Sequence, residues 1–206
     1  MIIDPGEQTF RENYKLLIGS IVPRPIAFVS TVSSAGIPNL APFSFFNGVC
    51  SNPPTIAFAP VRRAHDAQPK DTLINIREQK EFVVNIPSES FVEKMVKTAT
   101  DFSPDVDEFS ISGLTQKPAK IVSAPLVKEA RVSFECTLNQ IIEIGDGSAG
   151  SGFLVLGTIV LFHVADDVYN DGRILLDKLQ PVGRLAGNAY CRINDTFSII
   201  RKINPE

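Results

Sequence analysis

The feature that most constrains the fold of this chain is a pair of extended runs between residues 26 and 47. The first run, residues 26–32, is rich in β-branched and aromatic side chains, and the second covers residues 39–47. Between them, Ser33-Ser34-Ala35-Gly36 has the residue types of a tight turn. Two adjacent β-type runs joined by a glycine-containing loop are typical of a hairpin. The chain is therefore expected to build an antiparallel sheet from this point.

The second run carries polar residues where a sheet core would be apolar. Asn39, Ser44 and Asn47 interrupt an apolar stretch, and Ser51 follows shortly after it. Polar groups in a buried strand need hydrogen-bond partners. A polar ligand is one candidate, and neighbouring backbone groups near the turns are the other.

The rest of the chain alternates short β-type runs with a few helical stretches. We predict a short helix or strand at residues 13–18, strands at 55–60 and 81–87, and an exposed loop at 61–69. Helices are predicted at residues 71–80, with Asp71 as the N-cap, and at 89–99, capped by Ser88. Residues 100–126 are predicted to be mostly loop, and further strands at 130–140, 141–144 and 153–165 flank a flexible glycine-rich hairpin tip. This pattern predicts a mainly β fold with a few helices, a barrel, in one domain spanning residues 1–206.

Composition excludes several classes of protein. The net charge is −3 and there is no basic block, so a nucleic-acid partner is not expected. No apolar run approaches the roughly 20 residues of a membrane span, and the first residues lack the pattern of a signal peptide, so we expect a cytoplasmic protein. Cys50, Cys136 and Cys191 are widely spaced, and there are two histidines. We therefore expect neither disulfides nor a metal site.

One candidate binding site is the predicted start of the helix at residues 71–80. Lys70-Asp71-Thr72 precedes backbone N–H groups that have no partner inside a helix, and such a terminus favours anions. Lys70 and Thr72 would add a charge and a hydroxyl to a phosphate site. A plain helix cap with a solvated lysine explains the same residues.

Other candidates lie in the opening hairpin. Ser30, Thr31, Asn39, Ser44 and Asn47 offer donors and acceptors for a polar ligand, or bond to backbone at the barrel rim. Of Phe43, Phe45 and Phe46, at most two are expected to touch a ligand, because neighbours on a strand face opposite ways. Arg24 stands between two prolines, which suits either an anion-facing guanidinium or an exposed strand start. His163, at the end of an apolar run, is expected to be satisfied within the core or an interface.

These segments resemble the flavin reductase-like, FMN-binding split-barrel family, which includes flavoredoxins. The resemblance rests on Arg24-Pro25-Ile26-Ala27-Phe28-Val29-Ser30-Thr31, Asn39-Leu40-Ala41-Pro42-Phe43-Ser44-Phe45-Phe46-Asn47, Ser51-Asn52-Pro53-Pro54, Lys70-Asp71-Thr72 with Asn75-Ile76, and Lys178-Leu179 with Pro181-Val182-Gly183-Arg184 and Tyr190.

The resemblance implies a split β-barrel that binds FMN, and a homodimer with the flavin at or near the subunit interface. The implied cofactor-binding residues are Arg24, Ser30, Thr31, Asn39, Ala41, Pro42, Phe43, Ser44, Phe45, Asn47, Ser51, Lys70, Asp71, Thr72, Asn75, Arg184 and Tyr190. Arg184 and Tyr190 match a segment that approaches the flavin in the family, although a surface loop also fits them.

The implied activity is that of an NAD(P)H-dependent flavin (FMN) oxidoreductase. No residue stands out as catalytic, which fits a reaction whose chemistry resides in the cofactor. Two alternatives stay open at this stage. One is a flavoredoxin-type electron carrier that works with a redox partner protein and has no nicotinamide site, and the other is a non-catalytic flavin-binding module.

Overall fold

The computed structural model describes residues 1–200, which form mainly β-structure. The helices are α1 (Phe10–Ser20), α2 (Asp71–Gln79), α3 (Val92–Lys97), α4 (Glu108–Ser112) and α5 (Leu176–Leu179), with short 3₁₀ turns at Pro5–Glu7, Glu89–Phe91 and Asp166–Val168. The strands are β1 (Ala27–Val32), β2 (Pro38–Phe43), β3 (Phe46–Ser51), β4 (Pro54–Phe58), β5 (Glu81–Asn85), β6 (Gln116–Lys117), β7 (Leu126–Val127), β8 (Val132–Ile144), β9 (Gly152–Val164), β10 (Tyr169–Asn170), β11 (Arg173–Ile174), β12 (Val182–Arg184) and β13 (Tyr190–Arg192).

Seven strands make one antiparallel sheet in the order β2-β1-β5-β8-β9-β4-β3. Its two edge strands, β2 and β3, are joined only by Ser44 and Phe45. From Phe43 to Phe46 the chain spans at most about 11 Å. A flat seven-stranded sheet would separate its edges by about 29 Å. The sheet must therefore curl until its edges meet, and the result is a barrel with a split between β2 and β3, which confirms the predicted fold class.

The interior of the barrel is apolar and tightly packed. Phe58, Phe82 and Phe153 fill its centre and are at most 1% exposed. Ring centroids of Phe58 and Phe82 lie 5.6 Å apart in an edge-to-face arrangement, which aromatic pairs prefer. A second cluster, which includes Phe28 on β1 and Phe109 on α4, holds the short helices against the outer face of the sheet.

The predicted hairpin of residues 26–47 is confirmed for β1 and β2, whose register pairs Ala27 with Phe43 and Val32 with Pro38. The single extended run predicted for residues 39–47 is wrong. It ends at Phe43 and resumes at Phe46 on the opposite edge of the sheet. This break lies at the corner that the chain turns to cross the split.

Helix boundaries differ from the predictions at three places. The first helix starts at Phe10 and is fixed by a capping box between Thr9 and Glu12, the pairing that satisfies two free N–H groups reciprocally. In α2 the N-cap is Lys70, with no side-chain cap, so the prediction of Asp71 as N-cap is wrong. Ser88 precedes the 3₁₀ turn before α3, but its hydroxyl bonds Ser90 instead of capping backbone.

Outside the barrel, the fully buried carboxylate of Glu135 on β8 anchors the loop before β7. It accepts hydrogen bonds from the backbone N–H groups of Lys120, Ile121 and Val122, and it contacts the His163 ring. Burial alone raises the pKa of Glu135, but these donors outweigh it and lower the pKa from 4.5 to about 2. The carboxylate is thus more stable in the folded chain than in the unfolded one.

We expect Glu135→Gln to lower the free energy of unfolding by about 2 kcal/mol near neutral pH. A group whose pKa is depressed on folding stabilises the fold above its unfolded value of 4.5 and loses that contribution as the pH falls toward 2. The gap between wild type and variant should therefore close in acid. Urea unfolding of both proteins at several pH values measures it, and a gap independent of pH would contradict the assignment.

Within residues 1–200, no helix combines the length and the apolar character needed to cross a membrane.

Candidate functional site

A cleft opens at the split of the barrel, where the end of β2 and the Ser44–Phe45 corner face the start of α2. Its volume is about 170 Å³. Residues 98–102, between α3 and α4, and Tyr14 of α1 also line it. The cleft therefore combines the most polar part of the opening hairpin with a helix N-terminus.

The N-terminus of α2 presents positive charge and free donors to this cleft. Among the described residues no side chain caps the helix, so the N–H groups of Asp71 and Thr72 are available, whereas that of Leu73 bonds the Lys70 carbonyl. Lys70 forms an ion pair with Asp101, and an Arg63 Nη2–Asp71 Oδ2 contact of 2.6 Å fixes the Arg63 guanidinium beside the helix. The Nε of Arg63 is buried and has no hydrogen-bond partner in the described chain. An unsatisfied buried donor of this kind costs about 1–3 kcal/mol, so an anion bound here would relieve it.

Beneath the cleft runs a chain of buried polar side chains. The Thr72 hydroxyl donates to Asn39 Oδ1 at 2.7 Å, and Asn39 Nδ2 donates to Glu108 at 2.7 Å. Asn75 Nδ2 donates to the Thr31 hydroxyl at 3.0 Å, and Thr31 lies 3.4 Å from Asn39 Oδ1. The network fixes the rim of β2 relative to α2, and so fixes the shape of the cleft.

Glu108 supplies the acidic end of this network. It is 6% exposed, and its second oxygen accepts the Leu40 N–H at 3.1 Å. Burial raises the pKa of Glu108, while its own N–H, Leu40 and Asn39 act in the opposite direction. The carboxylate therefore lies close to the cleft in an environment that disfavours its charge.

Nine of the predicted cofactor-binding residues line the cleft: Asn39, Ala41, Pro42, Phe43, Ser44, Phe45, Lys70, Asp71 and Thr72. Thr31 and Asn75 lie one layer below, bonded within the polar network. The sequence segments around β2 and α2 thus converge on one place, although their ends are separated by about thirty residues of chain.

Six predicted residues lie outside the cleft. Ser30 is fully buried and donates to the Pro125 carbonyl, and Ser51 is exposed at the end of β3. Asn47 lines a separate hollow next to the Ser44–Phe45 corner, together with Arg24. Arg184 and Tyr190 pair with each other across β12 and β13, where the Arg184 guanidinium lies 4.6 Å from the centre of the Tyr190 ring.

Arg24 is buried rather than exposed, and it braces the corner that walls the cleft. Its guanidinium donates to the carbonyls of Ile18 and Ile21 at 2.8 Å and to Ser44 Oγ at 3.3 Å. Burial lowers the pKa of Arg24. Because carbonyls at the end of α1 favour a cation, the side chain ties that helix to the site.

Several lining residues escaped the sequence interpretation. Tyr14, Arg63, residues 98–102 and Glu108 all border the cleft. Glu108 lies in a stretch predicted to be mostly loop, and nothing in the sequence singled it out; the related signal was that Asn39 needs a hydrogen-bond partner. Among the described residues, no group of three or more His, Cys, Asp or Glu side chains is arranged to hold a metal ion.

Solved structures resemble this chain along its length. Component B of nitrilotriacetate monooxygenase from Bacillus cereus is 42% identical, with a TM-score of 0.92, and the match covers 97% of this chain and 98% of that one. The 2-nitrobenzoate 2-nitroreductase NbaA of Pseudomonas fluorescens is 32% identical, with a TM-score of 0.87, covering 100% and 98%. Flavoredoxin of Desulfovibrio vulgaris (Miyazaki F) is 25% identical, with a TM-score of 0.74, covering 97% of each chain.

The sequence profile of the flavin reductase like domain matches residues 18–181. This span contains every residue that lines the cleft except Tyr14. With a matching domain over most of its length and a close structural relative at 42% identity, the chain belongs to the flavin reductase-like family.

Proposed function

We propose that the protein binds FMN in the cleft at the split of the barrel and acts as an NAD(P)H-dependent flavin reductase. The observation that carries the proposal is the N-terminus of α2, where Lys70, Arg63 and uncapped N–H groups surround one spot. Helix N-termini bind phosphate through their free donors and dipole. From this spot the polar residues at the end of β2 lead toward Phe45, and they would give the rest of a flavin hydrogen-bonding partners.

The residues present fit a flavin phosphate. Lys70 offers a charge, and the Arg63 Nε offers a buried donor that has no partner among the described residues. The Thr72 hydroxyl, predicted as a second phosphate contact, already donates its proton to Asn39 Oδ1 and has none to give. The carboxylates of Asp71 and Asp101 oppose the positive charge of the site. Asp71 is paired with Arg63, and Asp101 with Lys70. Binding a phosphate at Lys70 thus competes with Asp101.

The cleft alone is small for the whole cofactor. Its volume of about 170 Å³ lies below the roughly 300–1,000 Å³ of typical ligand pockets. It would enclose the phosphate end, and the ring would extend past the Ser44–Phe45 corner. FMN, when bound, supplies the hydride and electron chemistry, and the protein binds and orients it and excludes water.

An anaerobic absorbance spectrum tests the function. Purified protein loaded with FMN is mixed with NADH or NADPH without oxygen, and loss of the oxidised flavin band is expected with at least one of them. Protein that holds FMN but keeps this band with both donors would instead support a flavoredoxin-type carrier served by a partner protein. If the protein takes up no flavin at micromolar concentration, the proposal is wrong, and so is the alternative of a non-catalytic flavin-binding module.

Asp101→Asn is expected to tighten FMN binding about two- to five-fold, because an exposed ion pair contributes roughly 0.2–1 kcal/mol and the phosphate no longer competes with it. Riboflavin, which has no phosphate, should bind as to wild type. Fluorescence titration of the flavin measures both. Asp105→Asn is the matched control, since Asp105 is an exposed acid of the same segment outside the cleft. Unchanged or weaker FMN binding by Asp101→Asn would contradict the competition.

We also propose a cytoplasmic homodimer in which the second subunit covers the open side of the flavin. A split barrel leaves the ring exposed to water, and a partner would exclude it. Phe45, Phe46 and residues 184–190 are the proposed contributors. Light scattering of FMN-loaded protein is expected to give about twice the 22.5 kDa chain mass, with flavin affinity falling as dilution produces monomer. If a monomer keeps full flavin affinity, the subunit interface is not part of the flavin site.

A further inference from the structure

A second hollow adjoins the flavin cleft. It lies between α1 and residues 61–64 and has a volume of about 460 Å³, within the range of small-molecule sites. Tyr14, Phe45 and Val61 line both this hollow and the cleft. Anything bound in the hollow would therefore contact the wall that it shares with the cleft.

Aromatic and aliphatic side chains dominate the walls of this hollow. Phe10, Tyr14 and Leu17 are 42%, 45% and 49% exposed, although their apolar surface favours burial. The rings of Tyr14 and Phe45 meet edge to face with centroids 6.3 Å apart. Exposed flat rings around a cavity of this size favour another aromatic ring as occupant.

The charges that line the hollow are all positive. Arg11 and Arg62 border it, and within residues 1–200 no aspartate or glutamate does. The Arg62 Nη1 donates to the Ala67 carbonyl at 2.9 Å and its Nη2 pairs with Glu143, but its Nε is buried without a partner among the described residues. A carboxylate would satisfy such a donor, because charge-assisted bonds to guanidinium groups are stronger than neutral ones.

We propose that this hollow binds an aromatic carboxylate, with its ring against Phe10, Tyr14 and Phe45 and its carboxylate toward Arg62 and Arg11. The assignment rests on the proposed function in one respect: through the shared wall, the ligand would lie beside a flavin bound in the cleft. Binding itself requires no flavin and can be measured without it.

The test is titration of flavin-free protein with benzoate, followed by calorimetry or by saturation-transfer NMR. Benzoate is expected to bind, benzyl alcohol about ten-fold or more weakly because it lacks the charge, and acetate undetectably because it lacks the ring. Equal binding of benzoate and benzyl alcohol, or none of either, would overturn the proposal. Failure of FMN binding with intact benzoate binding would sink the proposed function and leave this site standing.

A filling variant locates the binding. Ala64 is exposed and lines the hollow, so Ala64→Phe should block it and reduce benzoate affinity at least about ten-fold. His65→Phe is the matched control, because His65 is an exposed neighbour in the same loop outside the hollow, and it should bind benzoate as wild type does. Circular dichroism checks the folding of both variants. If Ala64→Phe and His65→Phe bind benzoate equally, the hollow is not the benzoate site. If wild type binds no benzoate and Ala64→Phe turns a dimer into a monomer, the hollow is occupied by a second subunit and not by an aromatic acid.

Discussion

Replacing Lys70 with alanine is expected to weaken FMN binding about ten-fold or more and to leave riboflavin binding nearly unchanged. A charge-assisted hydrogen bond contributes about 1.5–3 kcal/mol, and each 1.4 kcal/mol changes affinity about ten-fold. Lys70 lies at the start of α2, in the wall of the cleft, with Asp101 as its only ion-pair partner among the described residues. Its removal would subtract the proposed phosphate contact without touching the core. Fluorescence titrations with both flavins give the comparison.

The control for this result is Lys97→Ala. Lys97 is an exposed lysine in the last turn of α3, close in sequence to the segment that faces Lys70, and it does not line the cleft. Lys97→Ala changes the net charge by the same amount as Lys70→Ala. Because Lys97 lies outside the cleft, the affinities for FMN and riboflavin should stay as in wild type. Equal losses of FMN and riboflavin in Lys70→Ala would show that Lys70 acts by holding Asp101 and the cleft wall, and not by binding phosphate.

Gly157→Val is expected to lower the free energy of unfolding by at least about 3 kcal/mol, since forcing extra atoms into a packed core typically costs about 1–3 kcal/mol and more where nothing can move. A Cβ at Gly157 would stand 2.3 Å from the Phe82 Cζ. Phe82 is fully buried and packs against Phe58, so its ring has no free direction. Urea denaturation with circular dichroism measures the loss.

Gly48→Ala is the matched control for this prediction. Gly48 is also a strand glycine, on the edge strand β3, and a Cβ there meets no atom of residues 1–200 within 4 Å. Its effect should stay within about 0.5 kcal/mol. A similar loss in both variants would indicate that the backbone freedom of glycine, and not contact with Phe82, determines the stability at Gly157.

Local pattern was sufficient for much of the fold. The hairpin of β1 and β2, the strand β5 and the helix α2 each depend on residues within a short window, where turn chemistry and periodicity act directly. The start of α2 was misplaced by one residue, because Asp71 is a common cap but here bonds Arg63 instead. A tertiary ion pair thus overrode a local preference.

What the sequence could not supply was the contact between distant segments. Glu108 reaches Asn39, and Arg63 reaches the start of α2, only after the sheet has closed. Arg24 was a candidate ligand contact because it stands between two prolines, and Ser30 because its hydroxyl lies in the opening hairpin. In the structure, carbonyls of Ile18, Ile21 and Pro125 accept their hydrogen bonds. Polar residues in a strand signal a partner, but do not say whether that partner is protein or ligand.

The order of the strands bears on how fast this chain can fold. Each of the pairs β1–β2, β3–β4 and β8–β9 joins neighbours in sequence, but β5 pairs with β8 and β4 pairs with β9 across long stretches of chain. Closing such loops loses chain entropy before the contacts repay it. During synthesis β4 and β5 leave the ribosome well before β8 and β9. The edge of β4 that pairs with β9 and the edge of β5 that pairs with β8 therefore stay exposed to solvent until then. Refolding should accordingly be slow for a domain of this size, with closure of the sheet by the β8–β9 hairpin as its late step.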